Sequence, residues 1–452
     1  MYTSLFAYSE LDIRPVQKKK PKLVIGIVVD QMRYDYIYRF WDDFSQHGFK
    51  RLVNEGHFFR NANFGYTPTF TGPGHASIFT GTTPSSHGII ANNWFDKNDK
   101  EFVYCAGDGN THTICNCGPK TRDVSSSEGK MSPHHMLTTT IGDEIKLFNP
   151  ESKVIGISLK DRGAILSAGH SADAAYWMDK NGEWITSSFY MDKLPDWLIN
   201  HQQKKNALNY LTGNWSVKDQ FNHNLDIMFN QSGGGSIKST PFGNTILKDL
   251  AIEILKQEGM GKDMSTDLLT ISFSSTDYIG HQYGPHSAEI HDTYLRLDDD
   301  ISQLLRFIDE RIGDENVVVF LTADHGVVSE PQELLSRKIP AGYYDKDSMI
   351  DGLKDHLRRI YNFPLSNIPD DYILSYSNNQ LFLNHEYVIN NLDVSIEEVQ
   401  KECARFMLQF DHVKNTYTSQ QLHENEYDEP PHALIKRGYN QKRSGDVIIS
   451  LQ

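Results

Sequence analysis

Four stretches of this chain are nearly unbroken runs of aliphatic and β-branched residues, and each ends abruptly in polar ones. They read "KLVIGIVVD" (22–30), "SKVIGISLKDRG" (152–163), "DLLTISFSSTD" (267–277) and "ENVVVFLTADHG" (315–326). Continuous apolar character over so short a span predicts strands buried on both faces, as in a parallel sheet. Helical periodicity lies between them, in residues 36–56 and most strongly in 287–313. Strands alternating with helices predict an α/β fold: a doubly wound, mostly parallel central sheet flanked by helices and interrupted by inserted cap segments. Ligands of such a sheet bind beyond the carboxyl ends of its strands.

A chain of 452 residues exceeds one simple core, which suggests a large domain with insertions. The core is expected over 22–330, with insertions near 93–135 and 170–242, the latter rich in Trp, Tyr, Asn and Gly. Residues 1–21, with "KKK" at 18–20, read as a solvated extension or linker. Residues 331–440 read as an inserted mixed α/β segment, and 441–452 as a returning core strand after which the chain stops.

The balance of 59 acidic against 44 basic residues, a net charge of −15, argues against nucleic-acid binding, which needs a basic footprint. An acidic protein that handles phosphate esters must concentrate positive charge locally, in a few Lys and Arg residues or in metal ions. No window approaches the roughly 18–20 apolar residues of a membrane span. The first 22 residues lack the charge order of a signal peptide, because the basic residues follow the apolar patch. Cys105, Cys115 and Cys117 cluster in one polar loop near His112, and Cys403 lies in a helical pattern. That spacing falls short of a four-ligand zinc site, so a loop disulfide or free thiols are expected.

The strand ends carry the chemistry. Asp30 ends the first run; Asp277 and His281 follow another at a helical i,i+4 spacing; Asp324 and His325 end a third. Taken singly, each has a structural reading, as a helix cap or a packed histidine. Together, at the ends of predicted strands, a carboxylate–imidazole set of this kind suits zinc. The fourth end supplies cations: Lys160 and Arg162 are two apart, so in extended chain both face one way. Such a pair is a sensible clamp for phosphoryl oxygens, Arg by bidentate contacts and Lys as a point charge.

The stretch "YTPTFTGPGHASIFTG" (66–81) opens a helix beneath three threonines, Thr67, Thr69 and Thr71. A helix N-terminus favours anions, and the glycines allow a ligand to approach the backbone. An N-cap role is the structural reading of these threonines. Thr71, directly before Gly-Pro-Gly, best suits a nucleophile whose hydroxyl a metal would acidify.

Five segments, "VVDQMRYDY", "TFTGPGHASIFTGTTPSSHGIIANNW", "SLKDRGAILSAGHSADAAYW", "STDYIGHQYGP" and "LTADHGV", resemble the alkaline phosphatase superfamily. Within it they are most similar to the PafA-type zinc-dependent phosphomonoesterases, strongly over 22–330 and again in "GYNQKRSGDVIISL". The resemblance implies a covalent phosphothreonine on Thr71 and two zinc ions per chain. One zinc would be held by Asp30, Asp324, His325 and Thr71, the other by Asp277, His281 and a third ligand. Asn92, Lys160 and Arg162 would bind phosphoryl oxygens. It also implies small-molecule phosphate esters as substrates and a periplasmic or extracellular location. In the family the third ligand is a histidine in a Thr-His-Gly segment beyond the "GDVIISL" strand. No such segment follows it here, and His432 and His286 are weak substitutes. Diester relatives share the metal ligands but lack the Lys-x-Arg clamp, so monoester hydrolysis is expected first and diester hydrolysis second. An inactive phosphate-ester-binding homologue is a third alternative.

Overall fold

The computed structural model describes residues 20–117, 120–123, 126–361 and 372–452. Of the extension expected over 1–21, all but Lys20 and Pro21 lies outside the described residues, as does the side chain of Cys117. Eight strands form the central sheet: β1 (Leu23–Val29), β2 (Thr113–Cys117), β3 (Lys120–Asp123), β4 (Val154–Ser158), β5 (Ala174–Met178), β6 (Trp184–Ser187), β7 (Asp267–Phe273) and β8 (Val317–Thr322). Their spatial order is β8-β1-β7-β4-β5-β6-β2-β3. The first five run parallel, and β6, β2 and β3 extend the sheet antiparallel.

The four apolar runs are adjacent in this sheet, but β8 is its edge strand and stays partly exposed along its length, so burial on both faces holds for the inner runs and not for this one. Every residue of β4 and β7 is buried. Along β1, Ile25, Ile27 and Val29 join the main core, where each fully buried side chain contributes about 1.5–3 kcal/mol. That core includes residues of the helices α3 (Phe242–Gln257) and α5 (Ala288–Arg311). Gly26 faces the other way, where a Cβ would press on Phe79 of helix α1 (Thr71–Thr80). Helix α2 (Asp161–Ala168) shares that second face: a Cβ at its Gly163 would meet Ser158 of β4 and Ser272 of β7.

Three expectations change. The periodic stretch 36–56 is not one helix but Asp35–Arg39, a 3-10 turn and Phe49–Glu55. The break is fixed from outside, because Asp298 of α5 accepts from Ser45 N (2.7 Å) and Phe49 N (2.6 Å). The segments expected as insertions, 93–135 and 170–242, supply β2, β3, β5 and β6 to the central sheet itself; β5 and β6 are wholly buried. The strand within 441–452 does not return to the core sheet. It lies in a separate antiparallel sheet of β9 (Ile373–Ser377), β10 (Gln380–Leu383), β11 (Val413–Thr418) and β12 (Val447–Leu451), ordered β9-β10-β12-β11. Val447 and Ile449 of β12 are drawn there by a second apolar cluster built with Leu353, Leu357, Val399 and Cys403.

Candidate active site

Register brings the polar strand ends together. Val29 lies opposite Phe273, and Val28 opposite Thr322 and Ser272, so the three chains leave the sheet side by side. Ser272 in turn is level with Ser158 of β4. Asp30, Asp277, Asp324 and Lys160 therefore converge at one edge, as the carboxyl-end rule requires.

Asp30, Asp324 and His325 form a cluster whose ligand atoms all lie within 4.8 Å of one another. His325 Nε2 is 3.3 Å from Asp30 Oδ1 and 3.8 Å from Asp324 Oδ2, while its Nδ1 lies 2.8 Å from the Gly326 carbonyl. That second contact fixes the ring with Nε2 toward the carboxylates. Asp30 Oδ1 and Asp324 Oδ2 are buried without a hydrogen-bond partner. Orphaned buried carboxylate oxygens are costly, and a cation between them would satisfy both. Protonation energetics agree. Burial and the neighbouring Asp30 charge push Asp324 well above the usual carboxylate range. Burial would raise Asp30 as well, but the Lys160 ammonium and His325 hold it low. Burial lowers His325, yet Asp324 and Asp30 lift it to about 10. The donor set fits a zinc-like ion.

Thr71 is the first residue of α1, and the N-cap is Phe70 in extended conformation, with no side-chain cap bond. Thr71 is thus not an N-cap, and its Oγ1 lies 3.4 Å from His325 Nε2. Asn92 Oδ1 accepts from Gly72 N at 2.7 Å, which fixes the amide and leaves its NH₂ as the remaining donor. Gly74 is where α1 crosses the Asp30–Asp324–His325 cluster: a Cβ there would lie 2.5 Å from the Asp324 carbonyl oxygen.

Lys160 and Arg162 do not share an extended segment. Lys160 is the extended N-cap of α2 and Arg162 its second residue, so helix geometry, not strand alternation, sets their directions. The buried Lys160 ammonium donates to Asp30 Oδ2 (2.6 Å) and Asp277 Oδ2 (2.5 Å), joining the two halves of the site. Arg162 Nη1 donates to the Tyr104 hydroxyl at 3.2 Å, which in turn donates to Asp161, while Arg162 Nε is buried and unpartnered. Asp277 Oδ1 pairs with His281 Nε2 at 3.2 Å on helix α4 (Ser275–Tyr283). The sequence candidates for a third partner are elsewhere engaged: His286 with Arg39 and Ser329, His432 with Tyr417. Among the described residues the Asp30 group is the one three-residue cluster.

Three supporting residues escaped the sequence reading. Gln31, at φ +62°, donates from Nε2 to Asp277 (2.8 Å) and from its backbone to Asp324 (3.2 Å), tying both carboxylates together. His75 is buried between the Thr71 carbonyl (2.8 Å) and Ser272 Oγ (2.8 Å). Its i+4 spacing from Thr71 was a visible signal; Tyr104, from a distant hairpin, offered none. Of the cysteines, Cys115 is disulfide-bonded, whereas Cys105 and Cys403 are buried free thiols.

Known proteins resemble this chain in sequence and in fold. The model of the type I phosphodiesterase / nucleotide pyrophosphatase family matches residues 24–452. The chain is 34% identical over 457 residues to the alkaline phosphatase PafA of Elizabethkingia meningoseptica, covering 95% of this chain and 81% of that one. It is 37% identical over 463 residues to a Myroides odoratus protein named as a calcium-transporting ATPase, covering 96% and 82%. A crystal structure of PafA superposes with a TM-score of 0.87 at 33% identity, over 96% of this chain and 85% of that one. The family match, these identities and this superposition show a hydrolase of the alkaline phosphatase superfamily. Within that class the chain belongs to the type I phosphodiesterase / nucleotide pyrophosphatase family and is of the PafA type. No described helix is long and apolar enough to cross a membrane.

Proposed function

We propose that the chain hydrolyses phosphate monoesters in two displacements, through a phosphothreonine on Thr71. The observation that carries this reading is the seat of Thr71 Oγ1, 3.4 Å from His325 Nε2, beside two buried, unpartnered carboxylate oxygens. Asp30, Asp324, His325 and Thr71 would hold one zinc, and Asp277 with His281 would contribute to a second. When bound, the ions supply Lewis-acid charge at the attacking and leaving oxygens and lower the pKa of the attacking hydroxyl.

This chain's residues do the positioning. α1 sets Thr71 Oγ1 in line with phosphorus; its O–P bond forms as the bond to the leaving alcohol breaks. Water then attacks phosphorus from the vacated side and releases Thr71 with inorganic phosphate. The Asn92 NH₂ and the unpartnered Arg162 Nε are suited to donate to the phosphoryl oxygens, where charge accumulates in the transition state. Lys160 neutralises Asp30 and Asp277 and adds a cation beside the same oxygens. Two cationic side chains suit the extra charge of a monoester over a diester. The family description keeps diester hydrolysis as the second reading. The Cys115 disulfide supports a periplasmic or extracellular setting, since disulfides persist in oxidising compartments.

The test compares zinc-loaded protein on p-nitrophenyl phosphate and its methyl diester, with metal content measured alongside. Monoester preference is expected, with Thr71→Ala lowering kcat by roughly 10⁴-fold or more, as loss of a covalent nucleophile does. Diester preference supports the second reading. No turnover despite bound metal supports a binding protein.

A further inference from the structure

One strand away from Lys160 and Arg162, the same edge of the sheet carries another concentration of cations. β5 lies parallel to β4 with Tyr176 opposite Ile157, so the chain leaving Met178 emerges beside the chain leaving Ser158. Neighbouring strands are about 4.8 Å apart. Lys180 follows β5 by two residues and is exposed. Lys238 comes to the same place from the 3-10 turn Gly234–Ser239, its Nζ donating to the Met178 carbonyl at 2.8 Å. That turn lies against the start of α4: a Cβ at Gly243 would meet both the Ile237 carbonyl and Ser275 Oγ. α4 then carries Asp277, His281 and Gln282.

A cavity of about 470 Å³ sits here, lined by Lys180, Lys238, Gln231, Ser236, Ser239 and Gln282. Three carboxylates lie around Lys238, and each keeps its charge while accepting from other donors. Asp179 accepts from the Asn181 and Glu183 backbones, Glu128 from the Lys180 backbone, and Asp161 from Tyr104 and the Arg162 backbone. The cavity wall itself presents two ammonium groups, three hydroxyls (Ser232, Ser236 and Ser239) and two amides, and no carboxylate, in a protein whose net charge is −15.

We propose that this cavity is a subsite for a second phosphate group carried by the leaving alcohol, which makes bisphosphorylated small molecules the preferred substrate class. The proposal rests on the monoester reading above, in which the leaving oxygen faces Asp277 and His281. Gln282 of the cavity wall is on the same helix as Asp277 and His281, and the turn carrying Lys238 packs against the start of that helix, so the cavity adjoins the leaving-group side of the site. Two lysines then act as point charges on the second phosphate, with Ser and Gln donors completing its oxygens.

The test measures kcat/KM for fructose 1,6-bisphosphate and for p-nitrophenyl phosphate on the metal-loaded wild type and on Lys180→Ala, Lys180→Glu and Lys238→Gln. Lys180→Ala is expected to lower the bisphosphate value about tenfold, the loss of one charge-assisted hydrogen bond, and Lys180→Glu to lower it further. p-Nitrophenyl phosphate should stay within about twofold by the same reasoning, since it makes no such bond. Lys238→Gln should act in the same direction; because Lys238 also supports Met178, the Lys180 variants decide. Both substrates unchanged, or both falling together, overturns the subsite and leaves the monoester reading standing. A wild type that hydrolyses neither overturns the monoester reading and the subsite with it.

Discussion

Gly74→Ala tests whether α1 must ride this close to the Asp30–Asp324–His325 cluster. A Cβ at Gly74 would lie 2.5 Å from the Asp324 carbonyl oxygen, 2.7 Å from Asp324 Cβ and 2.9 Å from its carbonyl carbon. Ordinary contact begins at 3.4 Å, so helix and strand end must part by about 0.9 Å. All three obstructing atoms belong to Asp324's backbone or its Cβ, and no flexible side-chain tip can give way instead. Overpacking of this kind costs about 1–3 kcal/mol of stability. The larger effect falls on rate. Thr71 moves with α1, and Asp324 and His325 stay with β8, so the Thr71 hydroxyl shifts relative to both side chains. A misplacement near 1 Å costs about 10²-fold. The assay is kcat/KM on p-nitrophenyl phosphate together with urea unfolding, using Gly109→Ala as a control whose Cβ meets nothing within 4 Å. A Gly74→Ala protein of unchanged stability, turning over within about twofold of wild type, would refute the close-approach argument.

Tyr104→Phe removes the hydroxyl between Arg162 and Asp161; monoester kcat/KM should fall about tenfold with diester turnover little affected, read from the ratio of the two. Asp324→Asn should lower the bound metal by one ion per chain by elemental analysis, because it removes one of the three clustered ligands. Chelation of the wild type should lower its melting temperature, since a metal held by the folded cluster stabilises it over the unfolded chain. Asp300, buried in α5 with Lys248 nearby, is raised by that burial to about 7. Its folded pKa exceeds its unfolded one, so its contribution is full below about pH 4 and is lost as pH rises through 7. Urea midpoints should therefore fall between pH 5 and 8, and Asp300→Asn should flatten that slope.

The convergence of Asp30, Asp277, Asp324 and Lys160 was legible in the sequence because each strand end ties its polar residues to a strong local signal. The aspartate in "VIGIVVD" or "FLTADHG" sits at a fixed distance from an apolar run, and parallel register does the rest. What escaped was set by long-range contacts. Arg162's orientation depends on a hairpin 58 residues away, and the break in 36–56 depends on Asp298, about 250 residues on. β12 was misplaced because an apolar run says that a strand is buried, not against which sheet. β5 and β6 were hidden for the converse reason: their Trp and Tyr content resembles a cap, yet the side chains pack into the core. The Lys160–Arg162 pairing was expected for a wrong reason, as strand alternation gives way to a helix that begins at Asp161.

Phosphoryl transfer to Thr71 can be trapped on the protein. Zinc-loaded protein would be mixed with a phosphate monoester, quenched in acid within a turnover, digested and read by mass spectrometry. The expected result is one phosphoryl group on the peptide spanning Thr71, absent from Thr71→Ala. Turnover without any phosphorylated peptide, or phosphate on another residue that survives Thr71→Ala, contradicts it.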